Sequence, residues 1–166
     1  AIVNGAMVNV YTGEVLTGDT VLIKGDKIAY VGKNANRSIG SSTKVIDATG
    51  KTLIPGLIDG HTHLDSTYST SELIRYAMKG GTTTIITEAS GIVFPLGYQG
   101  IIEFLKSFQN QPIKIFITAP PMVTINSTAS EHALSVNELR QLLRRKQVLG
   151  LGESYWAPVV QGDPRT

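Results

Sequence analysis

After Pro55 the sequence alternates between strand-like and helix-like segments. Strands that alternate with helices form parallel sheets, because each helix returns the chain to the starting edge of the next strand. Nearly continuous apolar strands also indicate that both faces of such a sheet are covered. The sequence therefore predicts an α/β fold with a parallel sheet. The predicted strands are 57–59, 82–87, 113–118 and 148–151, and the predicted helices between them are 70–79, 98–108 and 135–146.

The last of these helices has a clear start signal. Ser135 precedes the apolar period as an N-cap, and Glu138 occupies the position of a capping box, in which each side chain bonds the other residue's backbone N–H. We expect this helix to begin directly after Ser135.

Two architectures accommodate such a chain, a doubly wound sheet and a (β/α)8 barrel. No glycine-rich phosphate fingerprint follows the first strand after Pro55, which disfavours the doubly wound sheet. A barrel has eight βα units and typically about 250 residues, whereas this chain has 166 residues. The sequence therefore predicts the first half of a TIM-type barrel over residues 55–166, incomplete by itself, from a longer chain whose true start is also expected upstream of Ala1.

Residues 1–54 have a different texture. Short apolar or alternating runs at 7–11, 20–24, 28–31 and 44–48 are separated by Gly, Asp and Thr turns. This pattern predicts a small antiparallel sheet built from hairpins, and a separate N-terminal domain.

Two histidines end the first strand of the predicted barrel, in Asp59-Gly60-His61-Thr62-His63. Side chains at positions i and i+2 of a strand lie on the same face, so His61 and His63 are expected to face one point. In a barrel that point is the C-terminal mouth, where active sites collect. Two neutral imidazoles suit a divalent ion such as zinc, manganese or iron. An isolated His-x-His is short and common, however, and is also met where a strand simply enters a loop.

A candidate third ligand follows the fourth strand. Glu153 comes after Gly150 and Gly152, which leave room around its carboxylate, and in a barrel it would open onto the same mouth as the histidine pair. Alone it would be read as an exposed loop acid. Two ligand types at the same end of two strands favour a metal site formed by His61, His63 and Glu153.

The segment Ile54-Pro55-Gly56-Leu57-Ile58-Asp59-Gly60-His61-Thr62-His63, after a β-rich lead-in, resembles the entry to the amidohydrolase superfamily, whose members join a small β-sandwich to a metal-bearing barrel. The resemblance is nearest to adenine deaminases and covers almost the whole chain. Beyond the histidine motif it rests on the order and spacing of segments 9–14, 81–86, 113–123 and 149–163.

The resemblance implies an N-terminal β-sandwich portion over residues 1–54, and a dinuclear site for Mn, Fe or Zn. His61 and His63 would bind one metal, and Glu153 would bind or bridge the pair and act in catalysis. The implied reaction is hydrolysis of adenine to hypoxanthine and ammonia. The family's other ligands, two histidines and an aspartate, come from later strands and are not among these residues. The chain alone is therefore expected to be inactive.

Three further residues are candidates for substrate binding, namely Asp65, Glu88 and Ser90. Adenine deaminases usually have a Glu at the position of Asp65, and an acidic, histidine-containing segment where this chain reads Thr87-Glu88-Ala89-Ser90-Gly91. These departures keep other substrates open, either another aminated heterocycle or a cyclic amide, as in dihydroorotases and hydantoinases. Those cyclic amidases usually place a carboxylated lysine where this chain has Glu153. The remaining alternative is a non-catalytic fragment or interaction module.

Composition excludes several other classes of protein. The net charge is +2, and the basic cluster at 140–146 lies in a helical pattern typical of a solvated face, so nucleic-acid binding is not expected. Cysteine is absent, which excludes disulfides and thiolate chemistry. No apolar run approaches the roughly 18 residues that span a bilayer. We expect a cytoplasmic enzyme with a small-molecule substrate. It would either form a homo-oligomer or associate with the missing C-terminal half.

Overall fold

The computed structural model describes residues 1–66, 69–121 and 130–166. The chain divides into two compact units, Ala1–Pro55 and Gly56–Thr166. Within the described ranges, no helix combines the length and the apolar character needed to cross a membrane. Segment 113–123, which carries part of the family resemblance, is described only as far as Pro121.

The first unit contains two small sheets, with strand orders β5-β4-β1-β6 and β3-β2-β7. A 3-10 helix, Lys33–Ser38, follows β5. The strands are β1 (Ile2–Val3), β2 (Ala6–Val8), β3 (Val15–Leu16), β4 (Thr20–Lys24), β5 (Lys27–Gly32), β6 (Ile46–Asp47) and β7 (Thr52–Leu53).

The prediction of an antiparallel sheet for this unit is only partly right. Strands β4 and β5 form the expected antiparallel hairpin. However, β1 pairs in parallel with β6, with Ile2 opposite Ile46, and β2 pairs in parallel with β7, with Ala6 opposite Thr52. Hairpin patterns identify only neighbours along the chain. The parallel pairs join the start of the unit to its end, and no local signal marks them.

The second unit is a parallel α/β arrangement, as predicted. Its four strands lie in the order β11-β10-β9-β8, and every neighbouring pair is parallel. The elements are β8 (Leu57–Thr62), α1 (Thr70–Lys79), β9 (Thr82–Thr87), α2 (Ser90–Ser107), β10 (Lys114–Ala119), α3 (Val136–Leu143), β11 (Val148–Leu151) and α4 (Trp156–Val160).

Two helix starts illustrate what local signals reveal. The capping box of α3 is confirmed, because Ser135 Oγ accepts from Glu138 N at 3.2 Å and the Glu138 carboxylate accepts from Ser135 N at 2.8 Å. Helix α2 begins at Ser90 rather than at the predicted residue 98. Gly97, with a φ of 57°, is not helical and separates the first part of α2 from the part that was predicted. Pro95 and the glycines of this part are poor helix formers, so the helical period was visible only after the break.

Helices α1, α2 and α3 pack on one face of the parallel sheet. Ile85, Ile115 and Ile117 form that face, and they are buried in two clusters that also include residues of α1, α2 and α3. On the opposite face, Ile58 is 67% exposed and Leu149 is 53% exposed. Among the described residues, the expectation that both faces are covered is met on one face only, because α1, α2 and α3 pack there and the opposite face is exposed.

Two glycines near β8 provide a matched test of the close approach between β8 and β9. A Cβ added at Gly56 would overlap the Thr83 side chain and lie 2.7 Å from Thr83 Cβ, whereas one added at Gly60 would meet no described atom within 4 Å. We expect Gly56→Ala to lower the free energy of unfolding by about 1–3 kcal/mol, because a β-branched side chain has little freedom to move away. Gly60→Ala is expected to change it by less than about 0.5 kcal/mol. Urea unfolding of both variants measures the difference, and equal effects would contradict the packing argument.

Candidate metal centre

The histidine pair lies where β8 ends. His61 belongs to the strand and His63 follows it directly. The register between β8 and β9 shifts between Asp59 and Thr62, so the chain bulges where the histidines begin. The Asp59 carboxylate supports the bulge by accepting from His61 N at 3.2 Å. The centroids of the two imidazole rings lie 5.4 Å apart, and the ring planes meet at an angle of 75°.

The structure brings Glu153 to this pair from the far edge of the sheet. Glu153 Oε1 lies 2.9 Å from His61 Nε2, and Glu153 Oε2 lies 3.6 Å from His63 Nε2. The three side chains are between 38% and 54% exposed, so the group is open to solvent. Because both histidines turn their Nε2 atoms toward one carboxylate, the residues predicted as ligands converge.

This donor set fits a single divalent ion. One ligand atom from each of His61, His63 and Glu153 lies within 4.8 Å of the others, and within the described residues no other His, Asp and Glu side chains form such a group. Ligands at about 2.1 Å from one ion lie up to about 4.2 Å apart, so small side-chain movements would complete the site.

A buried oxygen near His63 supports the same interpretation. Asp65 Oδ1 has no hydrogen-bond partner among the described residues and lies 3.9 Å from His63 Nδ1. A neutral histidine that binds a metal through Nε2 carries its proton on Nδ1 and usually donates it to a carboxylate or carbonyl. His63 in that tautomer would turn its N–H toward Asp65.

Asp65 also ties the loop after β8 to the start of α2. Its side chain is 0% exposed, and Oδ2 accepts from Gly91 N at 2.7 Å. A side chain at position 91 would crowd this bond, because an added Cβ would lie 2.8 Å from Oδ2. The structure therefore places Asp65 beside the histidines, in an internal position. Its contact with a substrate stays a prediction.

The other two residues predicted to bind substrate are buried as well. Glu88 is 3% exposed and Ser90 is 6% exposed. Glu88 Oε1 accepts from Thr118 Oγ1 at 2.5 Å, and Oε2 accepts from Glu153 N at 3.1 Å. Thr118 was not predicted as a site residue, although a hydroxyl side chain near the end of the apolar strand β10 was a visible signal.

Comparisons with known proteins agree with these observations. The family model described as "Amidohydrolase family" matches residues 44–92. Adenine deaminase 3 of Rhizobium meliloti (strain 1021) is 38% identical over 90% of this chain and 26% of its own length. The adenine deaminase of Ruegeria sp. (strain TM1040) is 37% identical over 98% of this chain and 28% of its own length. The chain thus spans about a quarter of the length of these relatives.

Solved structures share the fold at low sequence identity. Helicobacter pylori aminofutalosine deaminase, in complex with methylthio-coformycin, matches with a TM-score of 0.54 and 14% identity, over 90% of this chain and 42% of that one. Molinate hydrolase matches with a TM-score of 0.51 and 19% identity, over 84% and 36% respectively.

Proposed function

The chain belongs to the amidohydrolase superfamily, and from that premise we propose that it is the N-terminal part of a metal-dependent enzyme that deaminates adenine to hypoxanthine and ammonia. The observation that carries this proposal is the convergence of His61, His63 and Glu153 at the ends of β8 and β11. The adenine substrate rests on the similarity to adenine deaminases at 33–38% identity.

Each member of the site has a proposed role. His61 and His63 would hold one ion of a dinuclear Mn, Fe or Zn site, and Glu153 would be the carboxylate ligand of that site. A bound divalent ion would supply the chemistry of this site by lowering the pKa of a water molecule, which makes a nucleophile available at neutral pH. Glu153 is also the catalytic residue that we propose for this chain, because its side chain is 42% exposed and can be reached from solvent.

We further propose that residues 55–166 form the first four βα units of a (β/α)8 barrel, and residues 1–54 part of a β-sandwich. Consecutive strands are neighbours throughout the parallel sheet, and the order never reverses. A doubly wound sheet needs such a reversal, whereas a barrel does not. The two small sheets of the first unit support the sandwich assignment.

A cyclic amidase is the second candidate within the superfamily. The departures at Asp65 and Ser90 leave room for a cyclic amide or another aminated heterocycle as substrate. Glu153 at the end of the fourth strand favours the deaminase, because dihydroorotases and hydantoinases usually have a carboxylated lysine at this position.

The exposed sheet face suggests how the protein associates. Ile58 and Leu149 lie on it, and β8 and β11 are the outer strands. Apolar faces and open strand edges favour pairing with another polypeptide. We propose that this face is covered either in a homo-oligomer or by a polypeptide that carries the rest of the barrel.

Ammonia release from adenine tests the proposed activity. A polypeptide of these 166 residues alone is expected to release no ammonia with Mn²⁺, Fe²⁺ or Zn²⁺, because the family's later ligands are absent from it. A polypeptide that continues through the remaining strands is expected to release ammonia when supplied with one of these ions, and its His61→Ala variant is not. Turnover of a cyclic amide in place of adenine would favour the amidase. Ammonia release by a preparation that mass spectrometry shows to contain only these residues would contradict the expected inactivity.

A further inference from the structure

Glu88 joins three strand ends behind the metal centre. It follows β9 directly and is 3% exposed. Its Oε1 accepts from the hydroxyl of Thr118 in β10 at 2.5 Å. Its Oε2 accepts from the backbone N–H of Glu153, just beyond β11, at 3.1 Å. One buried carboxylate thus connects β9 and β10 to the residue whose side chain reaches His61 and His63.

The residue before Glu153 makes room for this carboxylate. A Cβ added at Gly152 would overlap Glu88 Oε2 and lie 2.7 Å from Thr118 Oγ1. Gly152 N also donates to Ala119 O at 2.8 Å, which ties the segment after β11 to the end of β10. The backbone at 152 and 153 is therefore held from both sides, and a side chain at position 152 is incompatible with the arrangement.

We propose that Glu88 is a positioning residue of the metal centre, which acts through the backbone of Glu153 and does not contact the substrate. The inference rests on the proposed function in one respect, because it takes Glu153 as a metal ligand. It assigns Glu88 a role different from the substrate contact that the sequence suggested.

The physical reason is that Glu153 follows β11 in a segment that is neither helix nor strand. Its side chain is 42% exposed, so packing alone does not hold the carboxylate near the histidines. A carboxylate accepts hydrogen bonds on both oxygens, and here each oxygen has one N–H or O–H donor. A glutamine at position 88 can keep both bonds only as neutral ones, by accepting from Glu153 N–H and donating its NH2 to Thr118 Oγ1, whose own proton then loses this acceptor. Neutral hydrogen bonds are about half as strong as those to a carboxylate, so the segment that carries Glu153 would be held less firmly.

Zn²⁺ affinity, measured at pH 7 by competition with a chromophoric chelator, tests the proposal. Glu88→Gln is expected to weaken binding by about 10–100-fold, the usual effect of losing a residue that orients a ligand. Thr118→Val and Gly152→Ala are expected to weaken it in the same direction. Gly150→Ala is the matched control for Gly152→Ala, because a Cβ at Gly150 would meet no described atom within 4 Å. It is expected to bind Zn²⁺ as the unchanged protein does.

Two further measurements separate positioning from general destabilisation. Amide exchange at Glu153, followed without metal, is expected to speed up in Glu88→Gln while amides in the core of the same unit stay protected. Leu142→Ala, which removes a buried side chain from the helix–sheet core, is expected to lower stability and leave the Zn²⁺ affinity of the folded protein unchanged. If Leu142→Ala weakens binding as much as Glu88→Gln does, the effect is one of stability and the positioning role is overturned.

A double-mutant cycle decides whether Glu88 acts through Glu153. In a Glu153→Ala background, Glu88→Gln is expected to have no further effect on Zn²⁺ affinity, because the side chain that it positions is gone. An equal loss in both backgrounds would overturn the proposal and assign Glu88 a direct contact. Wild-type binding by a folded Glu88→Gln variant would overturn this inference alone. Absence of Zn²⁺ binding by the unchanged protein would overturn the proposed metal centre and this inference with it.

Discussion

Replacing Glu153 by alanine is expected to weaken Zn²⁺ binding by at least about 100-fold. Loss of a residue that only orients a ligand usually costs 10–100-fold in metal affinity, and loss of the ligand itself should cost no less. Glu153 is the acidic member of the ligand group. Its Oε1 lies 2.9 Å from His61 Nε2, and its Oε2 lies 3.6 Å from His63 Nε2. Competition with a chromophoric chelator measures the loss.

Histidine variants supply the matched control for this prediction. His61→Ala removes a proposed ligand, whereas His132→Ala removes an exposed histidine of the same unit that lies outside the ligand group. We expect only the first to weaken Zn²⁺ binding, with an effect as large as that of Glu153→Ala. Equal affinities for the Glu153→Ala variant and the unchanged protein would show that the three side chains meet for another reason, such as the direct contact between His61 and Glu153.

The second large effect is expected from the helix–sheet core. Ile117 is 0% exposed in the centre of the parallel sheet, and Ile117→Ala is expected to lower the free energy of unfolding by about 2–5 kcal/mol. The cost combines the lost transfer of apolar atoms from water with the cavity left under the helices. Urea unfolding followed by circular dichroism measures it, provided that the transition of the second unit is resolved.

Ile58 is the control from the same sheet. It is 67% exposed on the opposite face, so Ile58→Ala is expected to change stability by less than about 0.5 kcal/mol in the isolated chain. If that face is covered by another polypeptide, as proposed, the same substitution weakens the association, which sedimentation detects as a larger monomer fraction. A loss of several kcal/mol from Ile58→Ala in a chain shown to be monomeric would contradict the described exposure.

Much of the second unit was predictable from local patterns. The alternation of strands and helices after Pro55 predicted the parallel sheet, and Ser135 with Glu138 predicted the start of α3. The spacing of His61 and His63 predicted that both face one point, and both Nε2 atoms are directed toward Glu153. These features depend on residues a few positions apart, whose relative directions follow from the geometry of a strand or a helix.

Local patterns predicted the four strands of the second unit and its first three helices in their order, but not the helix Trp156–Val160, and they indicated which ligand types stand at strand ends. The tertiary fold, in contrast, sets which distant segments pair, as β1 does with β6 and β2 with β7. It also places the side chains of Glu88 and Asp65 inside the protein. There Glu88 accepts from the backbone N–H of Glu153, and Asp65 accepts from the backbone N–H of Gly91. The physical reason is that local periodicity is set by neighbours along the chain. Strand pairing and the burial of a carboxylate depend instead on donors and surfaces that remote segments bring together.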